Sequence, residues 1–197
     1  MFYIIDLRKK KFRFLFFLML FIFFFYAGLE LIKIIFYPLK YDHLVLKYSE
    51  LYDLDPCLVF SIIKVESKFD PNAQSHKNAK GLMQITEKTG EWAAAEIGIE
   101  EYSSEKLFDP EINIHIGCWY IKKLLDQFED IETSLAAYNA GSGNVSKWLQ
   151  DKNYSKDGKK VHNIPFLETK AYVKKVLDSR RIYKKLYKSI YNNQKLQ

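Results

Sequence analysis

Glu66 is the residue whose type and spacing best suit it to chemistry. Val59, Ile62, Ile63 and Glu66 recur at i, i+3, i+4 and i+7, one helical face that is apolar apart from the carboxylate. Charged groups are seldom buried without a partner. Glu66 also falls in the last turn of the expected helix, where the negative end of the helix dipole opposes a further negative charge. Both influences favour the neutral acid and raise its pKa, and a carboxyl tuned in this way can act as a general acid near neutrality. The same spacing also suits a core glutamate satisfied by one Arg or Tyr.

Other reactive residue types form no comparable pattern. His43, His76, His115 and His162 lack metal-ligand spacing, so neither a metal site nor another cofactor is expected. Cys57 lies nine residues before Glu66, about half a turn around the helix, and so points away from it. A pairing of Cys57 with Cys118 is left open. Trp92, Trp119 and Trp148 are expected in the core, although an aromatic face also suits a sugar platform.

The elements that must position Glu66 are helical nearly everywhere. Val45, Tyr48, Leu51 and Tyr52 mark a first helix, and Asp55 with Pro56 opens a second that runs to about Ser67. Thr86 caps a third that reaches Gly98. Asp109-Pro110 opens a fourth, with Ile112, Ile116, Tyr120 and Leu124 on one stripe. A short helix over 132–139 stops at Gly141. A polar stretch over 150–165 carries Asp157-Gly158 as a turn, and a long final helix covers 169–191. The fold expected for residues 40–197 is a compact all-α domain.

Charge is unevenly placed. The chain of 197 residues carries +6 overall, yet residues 1–13 carry +4, residues 168–197 carry +7, and residues 40–167 are acidic. A phosphate-tracking face across the domain is therefore excluded, and no nucleic-acid partner is expected. Residues 14–29 contain no charge, and twelve of the sixteen are Phe, Leu or Ile, contributing about −4 to −7 kcal/mol to membrane insertion. The apolar pattern resumes after Glu30 and ends at Pro38, which fits a membrane-spanning helix over 14–37. The basic cluster at 8–13 then stays cytoplasmic as a short tail over 1–13, and residues 40–197 lie outside. Phe25 and Tyr26 stand where a signal peptidase would need small residues, so an uncleaved anchor is expected. Few residues separate Pro38 from the first helix of the domain, which keeps the domain close over the membrane.

Glu66-Ser67, Gly81-Leu82-Met83-Gln84 and Ala137-Tyr138-Asn139-Ala140-Gly141 occur in that order, with Asn113 to Gly117 and Tyr120 between them. Ile164-Pro165-Phe166, Glu168-Thr169 and Tyr172-Val173 follow. Together these resemble the motifs of the soluble-lytic-transglycosylase (SLT) family, a branch of the lysozyme-like superfamily, from about Tyr41 to Tyr187. Thr86-Glu87 departs from the Met-Pro of many relatives, at a place that should not touch the chemistry.

The resemblance implies a lysozyme-like helical fold and a peptidoglycan glycan strand as partner. It implies cleavage of the bond between N-acetylmuramic acid and N-acetylglucosamine without net use of water. Glu66 matches the catalytic acid and base, Tyr138 a tyrosine whose hydroxyl lies near it, and Ser75 a serine that orients substrate and carboxyl. Met83, Gln84 and Asn139 match positions lining the sugar groove, and Glu168 and Tyr172 positions at its rim. Each has a plainer reading: Ser75 as a loop hydroxyl, Tyr138 as a core ring tied to a carbonyl, Met83 as packing. A hydrolytic muramidase of the goose-lysozyme kind needs a second carboxylate, and Asp70, before Pro71, looks like a turn residue. A non-catalytic glycan-binding scaffold is the remaining alternative.

Overall fold

The computed structural model describes residues 7–187. Part of the expected basic tail, at 1–6, and residues 188–191 of the expected last helix lie outside that range. The chain divides into two compact units, the first ending at Leu39 and the second beginning at Lys40.

The first unit is one helix, α1 (Leu7–Phe36). Within Lys10–Phe36 the most apolar stretch reaches a mean hydropathy of 2.4 and is not buried against protein, so this portion is long and apolar enough to cross a membrane. Lys33 Nζ donates to Glu30 Oε2 at 2.9 Å, so the two charges within the apolar stretch that follows Arg13 are paired one turn apart.

The second unit holds α2 (Asp42–Leu51), α3 (Pro56–Glu66), α4 (Glu87–Ile97), α5 (Pro110–Phe128), α6 (Ile131–Ala140), α7 (Ser142–Gln150) and α8 (Leu167–Leu186). No strand occurs among the described residues, only isolated bridges of Lys80 with Gln74 and Ile85. The expected start signals act as caps. Asp55 accepts from Cys57 N, Thr86 from Thr89 N and Asp109 from Ile112 N.

Helix α5 is wrapped by protein rather than buried along one stripe. Asn113, Ile114, Ile116, Gly117, Cys118, Trp119, Ile121 and Leu124 are all buried, as expected of a core helix apolar on most sides. It packs against α2, α4 and α6, while α8 lies along α3 and α6. Arg180 and Lys184 of α8 reach Asp55 at 2.7 and 3.0 Å, so the residue that caps α3 also ties it to α8. Cys57 and Cys118 are both buried and unbridged. Helix α7 was not expected, because Gly141 reads as a stop. Gly141 (φ 89°) ends α6, and Ser142 starts α7 immediately after it.

Candidate active site

Three helix ends and one loop meet around Glu66: the C-terminal ends of α3 and α6, the first turns of α8, and residues 67–86. Lys68 and Phe69 follow α3 with φ of 54° and 68°. Two successive left-handed non-glycine residues cost about 1–2 kcal/mol each, offset here by burial of Phe69. The reversal brings Ser67 under the loop, where its hydroxyl donates to Leu82 O at 2.8 Å.

The loop itself is stitched by side chains. Gln84, at φ 49°, donates from Nε2 to Ala73 O and Gly81 O at 3.0 and 2.9 Å. Asn113, fully buried on α5, donates from Nδ2 to Lys80 O and Leu107 O and accepts from Met83 N at 2.7 Å. Gly81 sits so close to this clamp that an added Cβ would lie 2.1 Å from Leu107 O, and its φ of +75° disfavours any side chain.

Glu66 is mostly sheltered at the α3 end, and burial pushes its carboxyl up to about 7. The Tyr172 hydroxyl opposes the rise and the negative charge of Glu168 adds to it. Tyr172 thus stands beside the carboxyl rather than only at the rim. Its hydroxyl is buried and forms no hydrogen bond of good geometry within the protein. Tyr138 is the second neighbour, and burial followed by the Glu66 charge drives both phenols well above their ordinary range. Tyr138 donates to Met83 O at 2.8 Å. That bond commits the phenolic proton and leaves the oxygen lone pairs as acceptors.

The remaining expected residues divide by what they touch. Asn139, half-buried, accepts at Oδ1 from the buried Thr169 hydroxyl at 2.8 Å, which turns its NH₂ group away from Thr169. Glu168 is exposed beside it on α8, within reach of Glu66 by charge. The Met83 side chain does not reach the surface, contrary to a role in lining a groove. It is fully buried, packed where the missing Cβ of Gly117 leaves room, and its carbonyl is what faces the site. Ser75 Oγ accepts from Lys77 N and Ala79 N, contacts that hold its own loop. Asp70 accepts from Asn72 N in a turn.

Sequence reasoning missed the clamps made by Ser67, Asn113 and Thr169. Their signal was membership of the motifs without an assigned task. It also placed Trp92 in the core, whereas that residue is 48% exposed.

A mostly sheltered carboxyl raised to about 7, with Tyr138 and Tyr172 as neighbours, has the electrostatic character that a general acid or base needs. The transglycosylase SLT domain model matches residues 43–161, and the chain belongs to that family. It is 38% identical over 144 residues to the soluble lytic murein transglycosylase of Escherichia coli K12, covering 72% of this chain and 22% of that protein. It is 36% identical over 141 residues to the membrane-bound lytic murein transglycosylase F of Desulfosudis oleivorans, covering 66% and 29%. An inactive mutant of lytic transglycosylase Slt from Pseudomonas aeruginosa superimposes with TM-score 0.70 at 30% identity, covering 79% of this chain and 26% of that one. The chain therefore spans less than a third of the length of each of these proteins.

Proposed function

We propose that this chain is a membrane-anchored lytic transglycosylase that cuts peptidoglycan between N-acetylmuramic acid and N-acetylglucosamine. The observation that carries the reading is the Glu66 carboxyl, sheltered beside Tyr138 and Tyr172 and pushed by burial up to about 7. Glycosidases ordinarily use two carboxyl groups, and substrate-assisted enzymes are the exception. Here the substrate supplies the second reactant. Glu66 donates its proton to the glycosidic oxygen as the bond from C1 breaks, and the muramic 2-acetamido oxygen stabilises the positive charge at C1. The C6 hydroxyl then closes on C1, and the Glu66 carboxylate takes the proton that this hydroxyl loses. The ends formed are a 1,6-anhydromuramyl residue and a free N-acetylglucosamine hydroxyl.

Chain residues hold this geometry. In this reading the NH₂ of Asn139, whose Oδ1 accepts from Thr169, donates to the acetamido group. Gln84, Asn113 and Ser67 fix the loop whose Met83 carbonyl positions Tyr138. Ser75 supports the reading as a loop former. Helix α1 is the anchor, with the N-terminus cytoplasmic and residues 40–197 outside. The wider context supports the same reading, since relatives named as lytic murein transglycosylases include a membrane-bound one.

Glu66→Gln in the full chain should lower release of soluble fragments from purified sacculi by at least about a hundredfold while leaving co-sedimentation with sacculi unchanged. Release near the wild-type rate would remove Glu66 from the role. Glu168, the carboxylate whose charge reaches Glu66, is the group a hydrolytic route would use to activate water.

A further inference from the structure

Trp92 differs from the other two tryptophans. Trp119 and Trp148 are 5% and 6% exposed, Trp92 48%. Helix α4 buries Gly90, Ala93 and Ala94, and Trp92 lies off that stripe. A large aromatic left half in water forgoes part of the stabilisation that burial would give, and singly exposed apolar residues are common on surfaces. Trp92 is not single, however. Its ring centroid lies 6.4 Å from that of Tyr120, and Tyr120 lies 5.3 Å from Tyr138, the neighbour of Glu66. The aromatic row leads from the reacting carboxyl out to α4 in two ring-to-ring steps.

The angles matter as much as the distances. Trp119 and Tyr120 both meet Trp92 at 79°, so neither ring stacks on it. Trp119 packs against it edge to face at 4.7 Å, with Lys123 Nζ 5.4 Å from the Trp119 ring. The result is an indole packed against two rings, half open to solvent and linked through Tyr120 to the site. Pyranose rings in equatorial β-1,4 linkage present flat C–H faces that pack on aromatic rings, while their hydroxyl and acetamido groups stay hydrated or bond to polar neighbours.

We propose that Trp92, with Tyr120 beside it, forms a carbohydrate platform that holds an N-acetylated β-1,4-linked sugar of the strand away from the scissile bond. The proposal rests on the glycan-cleaving reading of Glu66. A platform at that distance contributes binding equally to ground state and transition state, so its loss acts on KM and not on kcat.

The test uses the full chain in detergent micelles with purified glycan strands for turnover, and chitohexaose binding to the Glu66→Gln protein as a probe without turnover. Trp92→Ala should raise KM and weaken chitohexaose binding about tenfold, with kcat within about twofold, and Trp92→Phe should restore most of the loss. Trp92→Phe keeps a ring against Trp119, so the comparison stays informative if the alanine variant loses helicity by circular dichroism. Wild-type cleavage with unchanged KM and unchanged chitohexaose binding in Trp92→Ala overturns the platform alone. A fall in kcat at constant KM also overturns it. Chitohexaose binding that depends on Trp92 in a protein that never cleaves glycan upholds the platform and overturns the cleavage reading instead.

Discussion

Glu66 carries its chemical competence at a thermodynamic cost to the fold. Its carboxyl titrates near 7 when folded and near 4.5 when unfolded. Below pH 4.5 both states hold the proton and the shift costs nothing. Between 4.5 and 7 the unfolded state releases its proton while the folded state keeps it, so stability falls as pH rises, reaching a plateau above 7. At about 1.4 kcal/mol per pH unit the full penalty is about 3 kcal/mol. Glu66→Gln has no such titration. Its stability advantage over wild type in chemical denaturation should therefore be about 2–3 kcal/mol larger at pH 8 than at pH 4. A difference that does not change with pH would mean that the carboxyl is hydrated like any surface glutamate.

At the scale of elements, the site depends on α3 and α8 staying together, because α3 brings Glu66 and α8 brings Glu168, Thr169 and Tyr172. Asp55 serves both, capping α3 at Cys57 N and pairing with Arg180 and Lys184. Asp55→Ala removes a cap worth about 1 kcal/mol and leaves two partly exposed cations without that partner. Urea unfolding should show a loss of about 2–3 kcal/mol in all. A loss below about 0.5 kcal/mol would assign the α3–α8 junction to apolar packing alone.

The helix starts were legible because Asp55-Pro56, Thr86 and Asp109-Pro110 encode caps locally. The clamps were not, because Asn113 lies thirty residues from Met83 along the chain and periodicity carries no information about which carbonyl a side chain will meet. Met83 was misplaced for a related reason. The left-handed Gln84 beside it breaks helical phase, so no wheel can say which way Met83 points. Trp92 was assigned by type, and type does not distinguish the buried stripe of α4 from its flank.

At the scale of the whole molecule, α1 and the domain that follows are joined by only the few residues between Phe36 and Asp42. The proposed orientation keeps the basic residues at 8–13 in the cytoplasm and carries the acidic body of residues 40–167 to the outside. Protease added to spheroplasts of cells making the full chain should digest residues beyond 40, leaving a membrane-embedded N-terminal fragment. Complete protection until the membrane is opened would reverse the orientation. Release of the domain into the medium would replace the anchor with a cleaved leader.

The central claim is that the sugar attacks itself while Glu66 gives and then recovers one proton, and the ends it leaves record that step. Mass spectrometry of fragments released from purified sacculi in ¹⁸O-labelled water measures it directly. The account predicts 1,6-anhydromuramyl ends without label from the wild-type chain and none from Glu66→Gln. Reducing muramic ends carrying ¹⁸O would show that water is the attacker and contradict it.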